Sequence, residues 1–536
     1  MSAREKEIRH SQFAIPNRRF GRGLAALWWL ALAASALLLA GCPEQLRNVL
    51  VVSRENFTAP DPPQVFLAEA SATAVLLTWS APTTSLAPAD ANLQGFLFVR
   101  GEGKYPNAMP VRGTSYQPGD ALGDGGVVLA NFVPTALEYN DTAVATGSTY
   151  YYEGFSYDAQ LNYSQSARLS STPGSMVYAR LSHTQTTLAD ERVLLAGGLG
   201  AAGPLNVAEI FDPSTSAFAP APRLMFSYRF AHTATLLLDG TVLLVGGYEQ
   251  GFADVLKSAE QFDPDTEVFS ALGSELTYGR ASHTATAAPD GRVLIVGGTD
   301  GVNALDSIEI YDPTTQQFSV VGDTLPTPRY GHVAALVGDS VVILGGFDGF
   351  KTVAKATVIH LDTLRVSDLN NIPQAESPMP VGALDATITA LPGGEWLLAG
   401  GFSGAEQTGT VTAAALLFTP AASPYFATTG SLLAARSGHV AALLPDGTAL
   451  ICGGIALDQS ILDSSEIYNA TSGEFRAGAT MTSPRTVAAV TLLPDGRPLI
   501  TGGNRSVDMF SPDPVSTAEA YDPATSEFHV VVAGAQ

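Results

Sequence analysis

Five histidines stand in one register of the sequence, each three residues after an arginine: Arg180/His183, Arg229/His232, Arg280/His283, Arg329/His332 and Arg436/His439. A sixth arginine, Arg485, keeps the register without the histidine. Imidazole is a common metal ligand and general base, so a repeated histidine invites a metal or proton-transfer reading. The spacing opposes it. Successive copies lie at least 49 residues apart, each in its own structural unit, whereas the ligands of one ion must all reach it at about 2 Å. A group present once per unit is more simply one that every unit needs for packing.

Two cysteines complete the reactive inventory, Cys42 and Cys452. They exclude a disulfide framework. Cys452 ends the apolar run Ala449-Leu450-Ile451-Cys452 ahead of a Gly pair and reads as a buried thiol in a strand, without the cationic neighbours a reactive thiolate needs. Cys42 has another use. The first 23 residues are basic and precede an uncharged run from Leu24 to Ala40, the pattern of a secretory signal. The run ends in Leu39-Ala40-Gly41-Cys42, which resembles the bacterial lipobox. That resemblance implies diacylglycerol on Cys42, cleavage just before it, residues 1–41 as signal peptide and 42–59 as a linker. The competing reading is an uncleaved anchor, since 17 residues is at the lower edge of a spanning helix. Arg18-Arg19-Phe20 only loosely resembles a twin-arginine signal, and Pro43 is not the Asp that retains enterobacterial lipoproteins at the inner membrane. The expectation is therefore an outer-membrane lipoprotein of a bacterial envelope, held to the membrane by its N-terminal lipid.

The elements that must position these residues follow from composition. A chain of 536 residues exceeds one ordinary core, and 46% apolar with 15% charged residues, with 52 Gly and 34 Pro spread along it, suits many short strands joined by tight turns. Removal of everything before Cys42 deletes Arg4, Lys6, Arg9, Arg18, Arg19 and Arg22 but only Glu5 and Glu7, carrying the formal charge from −23 to −27. Such a surface repels phosphate backbones, so no nucleic-acid partner is expected.

Residues 60–172 alternate with period two, as in Val75, Leu77 and Trp79, which predicts a half-buried antiparallel sheet. The early Trp and the later Val144-Ala145-Thr146-Gly147-Ser148-Thr149-Tyr150 resemble the fibronectin type III pattern, which implies a β-sandwich with Tyr150 bonded back to the chain near the start of its strand. Glu153-Gly154 and the long stretch from Gly101 to Asn140 depart from that pattern.

From 175 to 536 the chain repeats. Gly pairs begin at 197, 246, 297, 345, 400, 453 and 502, and seven marks at a period near fifty identify a repeat architecture. Each pair closes an apolar run such as Val293-Leu294-Ile295-Val296. Ahead of several runs stands a turn dipeptide suited to a two-residue hairpin (Asp239-Gly240, Asp290-Gly291, Asp446-Gly447, Asp495-Gly496). After the pair comes an acidic-aromatic strand such as Glu309-Ile310-Tyr311-Asp312-Pro313, then an aromatic: Phe218, Phe269, Phe318, Phe475 or Phe528. Four strands per unit make a propeller blade. The order resembles the Kelch repeat, and the expected fold is all-β, a seven-bladed Kelch-type β-propeller preceded by the sandwich. The fifth unit lacks both Arg and His.

In the Kelch family the first strand of each blade lines a central channel. The six arginines then either hydrogen-bond backbone carbonyls between blades or form a cationic ring for an anionic ligand. Relatives of the galactose oxidase type need a Tyr cross-linked to a Cys, a second Tyr and two His at copper, and no Tyr-His pair occurs in this chain. No cofactor or metal is expected, and no catalytic residue is assigned.

With strands alternating in direction, the Asp-Gly and Asp-Pro turns share one face, and the loops after the Gly pairs share the other with the blade connections. Those loops hold Tyr248, Phe252, Asp300, Phe347, Asp348, Phe350, Phe402, Arg505 and Phe510, taken as exposed aromatics and charges able to stack on sugars or anchor peptides. The expected function is a non-enzymatic binding or adhesion protein for a glycan or protein ligand. A carbohydrate-modifying enzyme such as a sugar mutarotase, or a scaffold of an envelope complex, are the alternatives.

Overall fold

A computed structural model describes residues 60 to 531 except 61–62, 71–73, 81–92, 134–137, 146–147, 149, 172–174, 372–376, 406–407, 421 and 509–510. Cys42 and Phe510 lie outside the described residues. Every regular element within them is a strand or bridge.

The N-terminal unit is a two-sheet sandwich. Strands β1 (Gln64–Ala70), β2 (Val75–Ser80) and β5 (Glu138–Asp141) form one sheet in the order β1-β2-β5; β3 (Leu93–Glu102), β4 (Val127–Phe132), β6 (Tyr150–Asp158) and β7 (Ala167–Ser171) form the other in the order β4-β3-β6-β7. Period-two alternation on β2 buries Val75, Leu77 and Trp79 against Phe96 and Phe98 of the facing sheet. The Trp79 ring lies 4.4 Å from that of Phe98 and 5.0 Å from that of Phe132. The hydroxyl of Tyr150 accepts the Ala145 N–H at 3.0 Å. Glu153, fully buried, accepts the Ala108 N–H and pairs with Arg168. Its charge thus secures the long excursion between β3 and β4, which accounts for both departures from the sequence pattern.

The second unit is a ring of seven antiparallel sheets, each built from one consecutive segment; six are four-stranded, and the fourth adds a short fifth strand, Ser377–Pro378, beside its third. The first blade comprises Thr184–Thr187, Val193–Ala196, Ala208–Asp212 and Ala217–Pro220, strands a to d from the centre outward; the seventh comprises Ala489–Leu492, Pro498–Thr501, Ala518–Asp522 and Glu527–Val531. Strand b is buried on both faces and mostly apolar, as in Val242–Val245; Ser340 and Thr501 are its polar members. The aromatic of strand c stacks on the aromatic opposite it on strand d, with centroids 4.7 Å apart for Phe211 and Phe218 and 4.9 Å for Tyr311 and Phe318. That contact explains the fixed spacing of the closing aromatic. The Asp-Gly hairpins between strands a and b differ from expectation. Leu237 N–H donates to Thr241 O and Gly240 N–H to Leu237 O, so Leu238-Asp239-Gly240 is a three-residue loop with Gly240 at a left-handed φ of 87°.

Candidate functional site

The repeated arginine, glutamate, histidine and glycines prove to be one fastening device. Each glycine of the pair has positive φ, 59° and 104° at Gly197 and Gly198. A Cβ on the first would fall 2.3–2.6 Å from a backbone oxygen of the next unit, so only glycine admits that approach. The second glycine donates its N–H to that same oxygen: Gly198 to Arg229, Gly247 to Arg280, Gly298 to Arg329, Gly346 to Ala383, Gly401 to Arg436, Gly454 to Arg485 and, across the seam, Gly503 to Arg180.

The arginine side chain then turns into its own blade. Arg180 donates to the carbonyls of Gly197 and Val207 and pairs with Glu209 on strand c at 2.8 Å, both side chains wholly buried. Arg229–Glu260, Arg280–Glu309, Arg436–Glu466 and Arg485–Glu519 repeat the pair. The glutamate's remaining lone pairs accept backbone N–H groups of the incoming connection, Val177 and Tyr178 in the first blade. A cationic ring is therefore ruled out: all six guanidinium groups are enclosed, five are neutralised by a glutamate of their own blade, and the carbonyls they serve, including those of Gly345 and Lys355 for Arg329, belong to the same blade rather than the next.

Each histidine joins two blades. Nε2 of His232 lies 3.0 Å from Thr184 Oγ1, that of His283 2.9 Å from Thr233, that of His332 2.9 Å from Thr284 and that of His439 2.9 Å from Thr387. Burial, assisted by the neighbouring arginine, pushes His183, His232 and His283 well below the usual imidazole range and brings His332 and His439 down to about 3. These are neutral packing groups. Cys452 is likewise buried, its thiol pushed up to about 12 by desolvation.

The loop residues assigned from the sequence separate into several kinds. Tyr248, Phe347 and Phe402 are buried, the first two completely, contrary to the expectation of exposed aromatics. The residue after the Gly pair bridges to the residue after the arginine-register position of its own blade, as Tyr248 does to Phe230, Phe347 to Tyr330 and Phe402 to Leu384. This turns it into the inner apolar clusters. Phe252 is half-buried against Phe230 and Tyr248. Asp300 and Asp348 shape their loops, accepting the N–H groups of Val302 and Asn303 and of Phe350 and Lys351. Arg505 joins the two units: it stacks on the Tyr151 ring at 4.5 Å, donates to the Tyr151 hydroxyl at 2.6 Å and pairs with Asp513. Of the nine, Phe350 alone stands as a large exposed side chain among the described residues, 77% accessible at a loop tip.

Other exposed apolar groups on the same face come from the blade connections, which the sequence reading passed over: Leu224, Phe226, Tyr228, Tyr278 and Leu433. Their signal is position, one to five residues before the register arginine, where the chain crosses the blade from its outer edge to the centre.

The innermost feature is a belt around the channel. The residue two beyond the arginine position is left-handed in every blade: Ser182, Ala231, Ser282, Gly331, Asp385, Gly438 and Val487, with φ of 47–64°. Each donates its N–H to the carbonyl of the preceding one, and Ser182 donates to Val487, completing a cycle at 2.8–3.2 Å. All seven are half-buried, and all but Val487 stand between more deeply buried neighbours, so they face the channel. Asp385 is the one ionisable member. Desolvation raises its carboxyl to about 7, and Oδ2 has no hydrogen-bond partner. The unit that lost its arginine and histidine thus gained a channel carboxyl, visible in the sequence only once Ala383-Leu384-Asp385-Ala386 is laid on the Arg-x-x-His register.

Comparison with known proteins agrees with the repeat architecture. The KLHDC2/KLHL20/DRC7 Kelch-repeats domain matches residues 231–454, from the second blade into the sixth. The chain is similar to the solved structure of YjhT at 15% identity, covering 56% of this chain and 98% of that one with a TM-score of 0.44. It is also similar to a fungal alcohol oxidase of the AA5 family in complex with copper at 14% identity, covering 62% and 72% with a TM-score of 0.47. No curated protein sequence matches.

Proposed function

We propose that the protein is a lipid-anchored recognition protein of a bacterial envelope, which binds a glycan or protein through the propeller face formed by the loops after the Gly pairs and the blade connections. One observation carries this reading. The ionisable groups of the repeat are enclosed as fasteners, while Phe226, Tyr228, Tyr278, Phe350 and Leu433 stand exposed on that one face, where a packed core does not require them. The Kelch-repeat match supports a recognition role for the propeller. The sandwich is the spacer, and its three- and four-strand sheets with the Tyr150 contact support the fibronectin type III-like reading. Anchoring rests on the sequence around Cys42 and is tested by Cys42→Ser, which should abolish fatty-acid labelling and signal cleavage. Recognition is tested by screening the purified full chain against glycans and peptides. Turnover of a sugar would replace this reading with a carbohydrate-modifying enzyme, and constant co-purification of one protein would favour a scaffold.

A further inference from the structure

In three blades the hairpin between strands a and b carries an arginine two residues after an aspartate that accepts its Nε–H: Arg192 with Asp190, Arg292 with Asp290 and Arg497 with Asp495. The terminal nitrogens are left to reach the next blade. Arg192 pairs with Glu267 at 2.5 Å and donates to the Pro264 carbonyl at 2.9 Å, and Arg292 donates to the Leu361 carbonyl at 3.0 Å. Arg497 belongs to the seventh blade and meets the first across the seam. There Ser216 holds the turn position that Glu267 holds in the second blade, left-handed in both, with φ of 54° and 56°. The serine is shorter and uncharged. Neither terminal nitrogen of Arg497 has a partner among the described residues.

The seam opens at this point into a cleft of about 450 Å³. Phe211 of the first blade and Leu493 and Phe528 of the seventh supply apolar wall, and Ser216, Arg497 and His529 are its polar side chains. The Arg497 side chain is 39% accessible, so a dissolved ligand reaches it without any opening of the ring. A cleft of this size suits a small molecule, with apolar wall for its body and a few convergent donors to fix its orientation.

We propose that the cleft binds a small monocarboxylic acid with an apolar body. The carboxylate accepts from the terminal nitrogens of Arg497, in the place that Glu267 and the Pro264 carbonyl fill on Arg192, and a guanidinium fork matches it in plane and charge. The body lies against Phe211, Leu493 and Phe528. A dianion such as phosphate is matched less well, because Asp495 already balances the guanidinium and repels a second negative charge. The cleft is on the face of the hairpins and Asp-Pro turns, opposite the face proposed for recognition, so the two readings stand or fall separately.

The test is a ligand-detected NMR titration of the purified full chain with 3-phenylpropionate, using 3-phenylpropionamide as the uncharged control and inorganic phosphate as the dianion. The acid should bind more than about tenfold more tightly than the amide, and phosphate more weakly than the acid. Arg497→Gln should bring the acid down to the affinity of the amide. Ser216→Glu gives the seam the carboxylate that the second blade offers Arg192, so it should abolish binding of the acid without lowering the thermal midpoint. Arg192→Gln, at a hairpin already satisfied by its neighbour, should leave the affinity unchanged. If the amide binds as tightly as the acid, if phosphate binds more tightly than either, or if Arg497→Gln or Ser216→Glu binds the acid as the native chain does, the proposal is overturned.

Discussion

His183 of the first blade and Thr501 of the seventh stand 318 positions apart in the chain and 2.8 Å apart in the fold. At the other histidine-bearing junctions the hydroxyl comes from the first position of strand a. In the seventh blade that position is Ala489, and Thr501, directly across the ladder from it, supplies the hydroxyl instead. The seam therefore keeps its bond through a substitute, and Thr501→Val should cost about 1–3 kcal/mol by leaving a buried imidazole nitrogen unpartnered. Urea unfolding measures it. A neutral result would mean that the seam is held by apolar contacts among Met176, Leu195, Leu493 and Leu499 alone.

The buried ion pairs make a sharper prediction. Removing one partner strands a charge in the interior, so Glu309→Leu or Arg280→Ala alone should each destabilise by about 3–5 kcal/mol. The fifth blade already shows the double replacement, with Ala383 at the arginine position and Leu416, opposite Leu398, at the glutamate position. Arg280→Ala combined with Glu309→Leu should therefore cost less than the sum of the two single changes. A double-mutant cycle with no coupling would contradict the reading.

Stability should fall in acid. The five buried histidines have folded values below the ordinary 6.5, so each contributes stability that is present above about pH 6.5 and lost as pH falls toward 3, where the unfolded chain binds the proton first. Asp385 runs the other way, since its folded value of about 7 exceeds 3.8 and its contribution declines as pH rises from about 4 to 7. Five groups outweigh one. Asp385→Asn should consequently steepen the acid loss and stabilise the fold at pH 8 by on the order of 1–3 kcal/mol. Denaturation midpoints at pH 8, 6.5 and 5 check both statements, and a flat profile would refute them.

The exposed and buried aromatics should part company on substitution. Phe226→Ala and Phe350→Ala should stay within about 0.5 kcal/mol in stability, and loss of an anchor should cost about 2 kcal/mol or more of affinity for a ligand found by screening. Tyr248→Ala and Phe347→Ala should instead cost about 3–5 kcal/mol in stability. Thermal unfolding paired with binding assays separates the two classes; a stable Phe347→Ala that loses binding would restore the contact role expected from sequence.

The blade count, the strand order and the face shared by the post-glycine loops were legible because glycine pairs and Arg-x-x-His recur wherever backbone from one blade must meet the next. The register glutamates were visible but unpaired in sequence, since Arg280 and Glu309 are joined only when strand c folds beside the incoming connection. Tyr248, Phe347 and Phe402 misled for a related reason. A residue after a turn glycine reads as a loop tip, yet the bond from the second glycine to the next blade draws the chain inward. The clue was the register itself, apolar at Leu199, Tyr248, Phe347, Phe402 and Ile455 and polar only at Thr299 and Asn504, a periodicity that belongs to a core. Asp385 was hidden by degeneracy, because the motif that locates its position is absent from its own blade.

The cyclic belt gives all seven junctions of the ring one pattern of backbone bonds. Since among the described residues no blade borrows a strand from the far end of the chain, the junction between the seventh and first blades carries the same backbone bonds as the other six. A circular permutant reopened between the third and fourth blades, with the native ends linked, would meet the same sequence of contacts around the ring and differ only in where synthesis begins.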